Sequence, residues 1–214
     1  MTVEKLAKTI AGRVGEKLGC DDEKIAVMAY GLIGLFQFAV ILCACVVIGL
    51  IFGFFIEAMI IFWGVGIIRR STGGAHSQNF YCCLFTSIAF ICFFAWVCKQ
   101  MSVYSSSIYF YEPYLPIYTA AFAAVYKEAP VESPNKPLSR EKRFRLRRAA
   151  FITIGVFAAV SVCECVISVT GSMVGNFYHI SLPLTICVLW QTFLILPAGK
   201  MFIDLIDRIF IKQR

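Results

Sequence analysis

Charge is what this chain lacks most. From Ile25 to Ile68 the only charged residue is Glu57, and over all 214 residues charged side chains make up 15% against 59% apolar. A soluble domain carries about a quarter charged residues, so the shortage excludes an ordinary globular protein and makes the bilayer the expected solvent. Histidine is nearly missing, with two residues in the chain. No cluster of His, Cys and acidic residues has metal-ligand spacing, and no nucleotide loop or serine-hydrolase motif is present, so no metal and no cofactor are expected. An apolar secretory leader is also lacking, because residues 1 to 24 are charged.

Ten cysteines are present, yet most sit inside apolar runs rather than polar loops, which reads as small buried hydrophobes and not as a disulfide framework. The pairs Cys43/Cys45 and Cys163/Cys165 cannot serve as clips, since helical residues two apart point about 200° apart.

The apolar runs divide into six helical segments, about 25–46, 51–68, 80–98, 107–126, 149–170 and 179–197. Ile25 to Ile68 is too long for one crossing of a core about 30 Å thick, at about 1.5 Å per residue, and breaks near Gly49 to Gly53. Val3, Leu6, Ala7, Ile10, Val14 and Leu18 recur at helical spacing, so residues 1–24 form an amphipathic helix, interfacial or solvated. Residues 127–148 form a basic loop and 198–214 a basic amphipathic tail. The fold class is an all-α polytopic membrane bundle in a single membrane domain, 1–214.

With the N-terminus inside, nineteen of the twenty Lys and Arg residues fall in cytoplasmic segments and Lys99 alone lies outside. This asymmetry predicts six spans with both termini in the cytoplasm. It also accounts for the net charge of +7, through attraction to anionic lipid and without any nucleic acid.

One polar island interrupts the apolar runs, Arg69 to Cys83. A thiolate is the nucleophile in cysteine chemistry, and a neighbouring histidine can take its proton. His76 supplies the base. On one helix Cys83 would lie about 20° from its face and Cys82 about 120° away, so Cys83 is the expected nucleophile. Seven residues of unbroken helix would hold the pair about 10 Å apart along the axis. Gly73 and Gly74 supply the break that lets the histidine loop fold back over the next helix start, whose N–H groups offer an oxyanion site. Gln78 and Asn79 are candidates to orient the imidazole.

Arg70-x-x-Gly73-Gly74-x-His76-x6-Cys83 resembles the signature of the accessory gene regulator B family, the membrane peptidases of bacterial quorum sensing. Ala129 to Leu138, followed by a basic run, resembles that family's second loop, with arginines where several relatives carry lysines. The resemblance implies a bacterial cell-membrane cysteine endopeptidase, with His76 and Cys83 catalytic on the cytoplasmic side. It would cut the C-terminal tail from a precursor peptide through a thioester and close the product into a thiolactone or lactone. It also implies a homodimer and a precursor with an amphipathic helix and an acidic tail. Arg69, Arg70, Lys136, Arg140 and Arg143 are then expected to hold that tail, with Arg70, Gly73, Gly74 and Gln78 supporting the dyad.

Two other classes fit the sequence less well. A carrier or exporter would use six spans and the intramembrane Glu57 and Glu164, but no internal repeat or broken-helix pair supports it. A redox protein would need both Cys82 and Cys83. The two glutamates are expected, in order, to be protonated, to pair with polar neighbours, or to line a product route.

Overall fold

The computed structural model describes residues 3–75, 79–102, 111–131, 139–170 and 180–211. All regular structure among them is helical: α1 (Val3–Lys17), α2 (Asp22–Phe52), α3 (Phe55–Thr72), α4 (Phe80–Met101), α5 (Tyr114–Glu128), α6 (Arg140–Val169), α7 (Ser181–Ile195) and α8 (Pro197–Ile211). Within the described residues, the six apolar segments correspond in order to α2 to α7. Three helices, α2, α4 and α6, are long and apolar enough to cross a membrane, and α7 with α8 makes a fourth if the bent pair is one span. α5 has 15 residues, about 22 Å, which is short of a hydrocarbon core. The molecule is a helical membrane bundle.

The chain forms two compact units, Met1–Ala44 and Cys45–Arg214. In the first, α1 ends in a tight turn. Gly19 takes φ +63°, and the Cys20 N–H returns to the Gly15 carbonyl at 2.9 Å. Asp21 then caps α2 by accepting the Lys24 N–H at 2.9 Å, which satisfies one of the orphan donors of a helix start.

In the second unit α2 continues through Phe52 and stops at Gly53, φ +77°. The break lies at the glycine that alone adopts this conformation cheaply, several residues beyond the expected helix end at 46. α7 is the axis of the bundle, packed by α3, α4, α5, α6 and α8. α3 approaches it so closely that a Cβ on Gly64 would stand 2.7 Å from Cys187 Sγ. Small residues at such a crossing let two helices pack without a hydrophobic drive between them.

α3, α5 and α7 run one way, α4 and α6 the other. At the end where α3 begins, Lys99 pairs with buried Glu57 at 3.8 Å. Glu164 of α6 accepts the N–H groups of Ile180 (2.9 Å) and Ser181 (2.8 Å) and the Ser181 hydroxyl (2.7 Å). That carboxylate caps α7, as the positive end of a helix favours. Both glutamates thus pair with polar neighbours, the second of the three expectations for them. The cysteines are free thiols.

α6 starts at Arg140, not near 149, so Arg140 to Arg148 are its first turns and not loop. Ser139 provides the start, its hydroxyl accepting the Lys142 N–H at 3.4 Å. α7 ends at Ile195 and the chain turns by 82° into α8, with Pro197 at the first helical position, where its missing N–H costs nothing.

Candidate active site

The opposite end of the bundle holds the polar island. α3 closes at Thr72, because Gly73 (φ +70°) and Gly74 (φ +129°) take conformations that disfavour a side chain. Space imposes the same choice: a Cβ on Gly73 would lie 2.7 Å from the Val131 carbonyl oxygen, and one on Gly74 3.2 Å from Gln191 Nε2. From there the backbone is bonded at nearly every step. The Val131 N–H donates to the Thr72 carbonyl at 2.9 Å and the Ala75 N–H to the Leu194 carbonyl at 3.0 Å. Arg69 Nη2 donates to the Ala75 carbonyl at 3.0 Å, and Gln191 Nε2 to the Gly73 carbonyl. The loop therefore reaches Ala75 on a fixed heading. His76 and Gln78 lie outside the described residues, as does Lys136.

The chain resumes at Asn79, whose side-chain oxygen accepts the N–H groups of Tyr81 (3.0 Å) and Cys82 (3.4 Å). Asn79, a candidate to orient the imidazole, caps α4 with its side-chain oxygen, because a helix start needs an acceptor there. Cys83 follows in the first turn, its N–H on the Asn79 carbonyl at 3.0 Å. It is half-buried, whereas Cys82 is 1% exposed. The first turn of a helix favours negative charge.

A model of the AgrB family, accessory gene regulator B, matches residues 7–195. The chain belongs to this family. Relatives from Clostridium perfringens include one from strain 13 / Type A named "Putative AgrB-like protein 2" and one from strain SM101 / Type A named "Putative AgrB-like protein". Each is 25% identical, with 96% of this chain and 96% of the relative covered. No solved structure matches the chain.

Residues 129–131 meet the glycine turn at this end of the bundle. Arg147 Nε donates to the Ala129 carbonyl at 2.8 Å, and Val131, two residues on, is bonded to Thr72. The basic start of α6 is thereby tied to the glycine turn. Arg69 is half-buried with Nη2 on the loop, whereas Arg70, Arg140 and Arg143 are exposed. Six of the nine residues from Arg140 to Arg148 are basic, at a helix end whose own dipole disfavours cations.

Sequence reasoning missed Thr72, Val131, Arg147, Leu194 and above all Gln191, which is 1% exposed. Its signal was present: it is the one amide side chain in the apolar run Leu184–Pro197, and polar residues inside membrane segments mark function.

Proposed function

We propose that this chain is a membrane cysteine endopeptidase that trims a quorum-sensing precursor peptide and cyclises the product. Its family carries the autoinducer-processing role in general. The observation that carries the finer chemistry is the glycine turn: α3 stops, the chain is clamped as far as Ala75, and only the three residues 76–78 separate it from the capped helix start that presents Cys83.

His76 takes the Cys83 proton, and the thiolate attacks a backbone carbonyl of the precursor. The tetrahedral oxyanion collapses as the C–N bond breaks, and the imidazolium gives its proton to the departing amine. Cys83 then carries the rest of the precursor as a thioester. An internal thiol or hydroxyl of the precursor attacks that thioester, closing the ring and releasing Cys83. Water competes, so the internal nucleophile has to be held close and the site kept dry, and a bilayer rim supplies the second condition. Amide to thioester is uphill, and departure of the tail draws the reaction forward. Arg69, Arg70, Lys136, Arg140 and Arg143 attract an acidic tail. The positive-inside asymmetry supports a cytoplasmic site and termini, and the homodimer stands on the family resemblance.

The test is intact-protein mass spectrometry of the full chain in lipid nanodiscs, mixed with a synthetic peptide having an amphipathic N-terminal half, an internal cysteine and an acidic tail. An acyl adduct on Cys83 that is absent from Cys83→Ala and His76→Ala and survives Cys82→Ala is the expected result. Tail release that persists in Cys83→Ala overturns the reading.

A further inference from the structure

Gln191 has no part in the acyl transfer set out above, yet its buried side chain bonds directly to the glycine turn. It sits on the last turns of α7, 1% exposed. Its Nε2 donates to the Thr72 hydroxyl at 2.9 Å and to the Gly73 carbonyl. Its Oε1 is buried with no donor among the described residues.

A buried amide kept for packing alone is normally bonded at both ends, and a leucine would fill similar volume without burying an unbonded oxygen. What the amide does that leucine cannot is hold a carbonyl of the glycine turn. The neighbouring bonds from Val131 and Leu194 are backbone bonds, which any residue at those positions could make. Arg69, Thr72, whose hydroxyl also reaches the Gly73 carbonyl at 3.3 Å, and Gln191 act through side chains, and among the described residues Gln191 alone does so from the central helix. We infer that Gln191 is a positioning residue: by fixing Gly73 against α7 it sets the direction in which the chain leaves Ala75 toward the histidine. The inference rests on the Cys–His reading above.

The test is alkylation of Cys83 by iodoacetamide, read by peptide mass in the full chain in nanodiscs across pH. His76→Ala is expected to slow Cys83 alkylation at pH 7 roughly tenfold, and Gln191→Leu to slow it similarly, since small misplacements cost this much. Both deficits vanish near pH 10, where ordinary thiols ionise unaided. Gln191→Glu tests the donor separately and covers a misfolded Leu variant. When protonated, its carboxyl can donate to the Gly73 carbonyl, so its rate relative to wild type recovers as pH falls from 7 to 5.

If both Gln191 variants alkylate as wild type while His76→Ala is slow, the positioning role is overturned. If His76→Ala itself matches wild type, the Cys–His reading fails instead. Deuterium exchange at Gly73 to Ala75 then decides the positioning alone: faster uptake in the Gln191 variants upholds it and unchanged uptake refutes it.

Discussion

Ala75 hangs from Leu194: its N–H reaches that carbonyl at 3.0 Å, so the residue before His76 is fixed to the end of the most enclosed helix in the bundle. On the proposed mechanism the base has to lie near the thiol, and suspending Ala75 from a central helix suits that requirement. The carbonyl used is one that α7 leaves open at its C-terminus.

The glycine turn gives the sharpest test of this attachment. Gly73→Ala meets a φ of +70° and a Cβ 2.7 Å from the Val131 carbonyl oxygen. With ψ −140° the conformation is one that only glycine adopts readily and costs about 1–3 kcal/mol, and the backbone carbonyl it strikes cannot move aside cheaply. Acylation of Cys83 is expected to fall by two orders of magnitude or more, on the order of the loss from a 1 Å misplacement. Thermal melting in nanodiscs should drop modestly. Wild-type acylation by this variant would show that the turn does not place the histidine.

Much of the bundle was legible in residue order, because uninterrupted apolar runs have no other stable form in a bilayer. The break after Thr72 was legible too, since Gly73-Gly74 is a local signal. Helix ends set by distant partners were not. Asn79 reads in the sequence as a candidate to orient the imidazole, and its capping of α4 appears only once the helix start is seen to use its oxygen. Arg140 to Arg148 reads as loop because charge masks the helical continuation that Ser139 starts. The clamp by Gln191, Leu194 and Val131 joins residues separated by up to 119 positions, which no local pattern reveals.

The crossing of α3 and α7 predicts a coupled pair. Gly64→Ala places a methyl 2.7 Å from Cys187 Sγ, and overpacking of this kind costs about 1–3 kcal/mol. Cys187→Ala alone leaves a small void. Combined, the two should be less destabilising than their sum, with a favourable interaction energy of about 0.5–3 kcal/mol in a double-mutant cycle. Simple additivity of melting shifts would mean that the helices do not approach as described.

Glu164 acts at the other end of the bundle. Glu164→Ala strips the acceptor from two N–H groups and a hydroxyl at the start of α7, and losing such a part-buried cap costs about 0.5–2 kcal/mol. Glu164→Gln keeps one acceptor oxygen and should be milder. Both variants are expected to melt earlier while still acylating Cys83 below their melting temperatures. Abolished acylation in a folded Glu164→Gln protein would instead give the carboxylate a role in the reaction.

The basic start of α6 separates two kinds of arginine. Arg140 and Arg143 are exposed, so their attraction for an acidic tail should be long-range and screened, with a Debye length of about 8 Å at 0.15 M salt. Joint reversal, Arg140→Glu with Arg143→Glu, is expected to weaken binding of an acidic-tailed peptide roughly tenfold at low salt, about 0.7 kcal/mol for each position. The deficit should shrink toward none near 0.5 M salt. Arg147 is half-buried with Nε on the Ala129 carbonyl at 2.8 Å. Arg147→Lys keeps the charge but loses the planar fork that makes this bond, so its loss of activity should be insensitive to salt. Titrating salt against peptide affinity for the two variants checks both. Equal salt slopes would mean that Arg147 also serves only as a charge, and that the link between α6 and the glycine turn is dispensable.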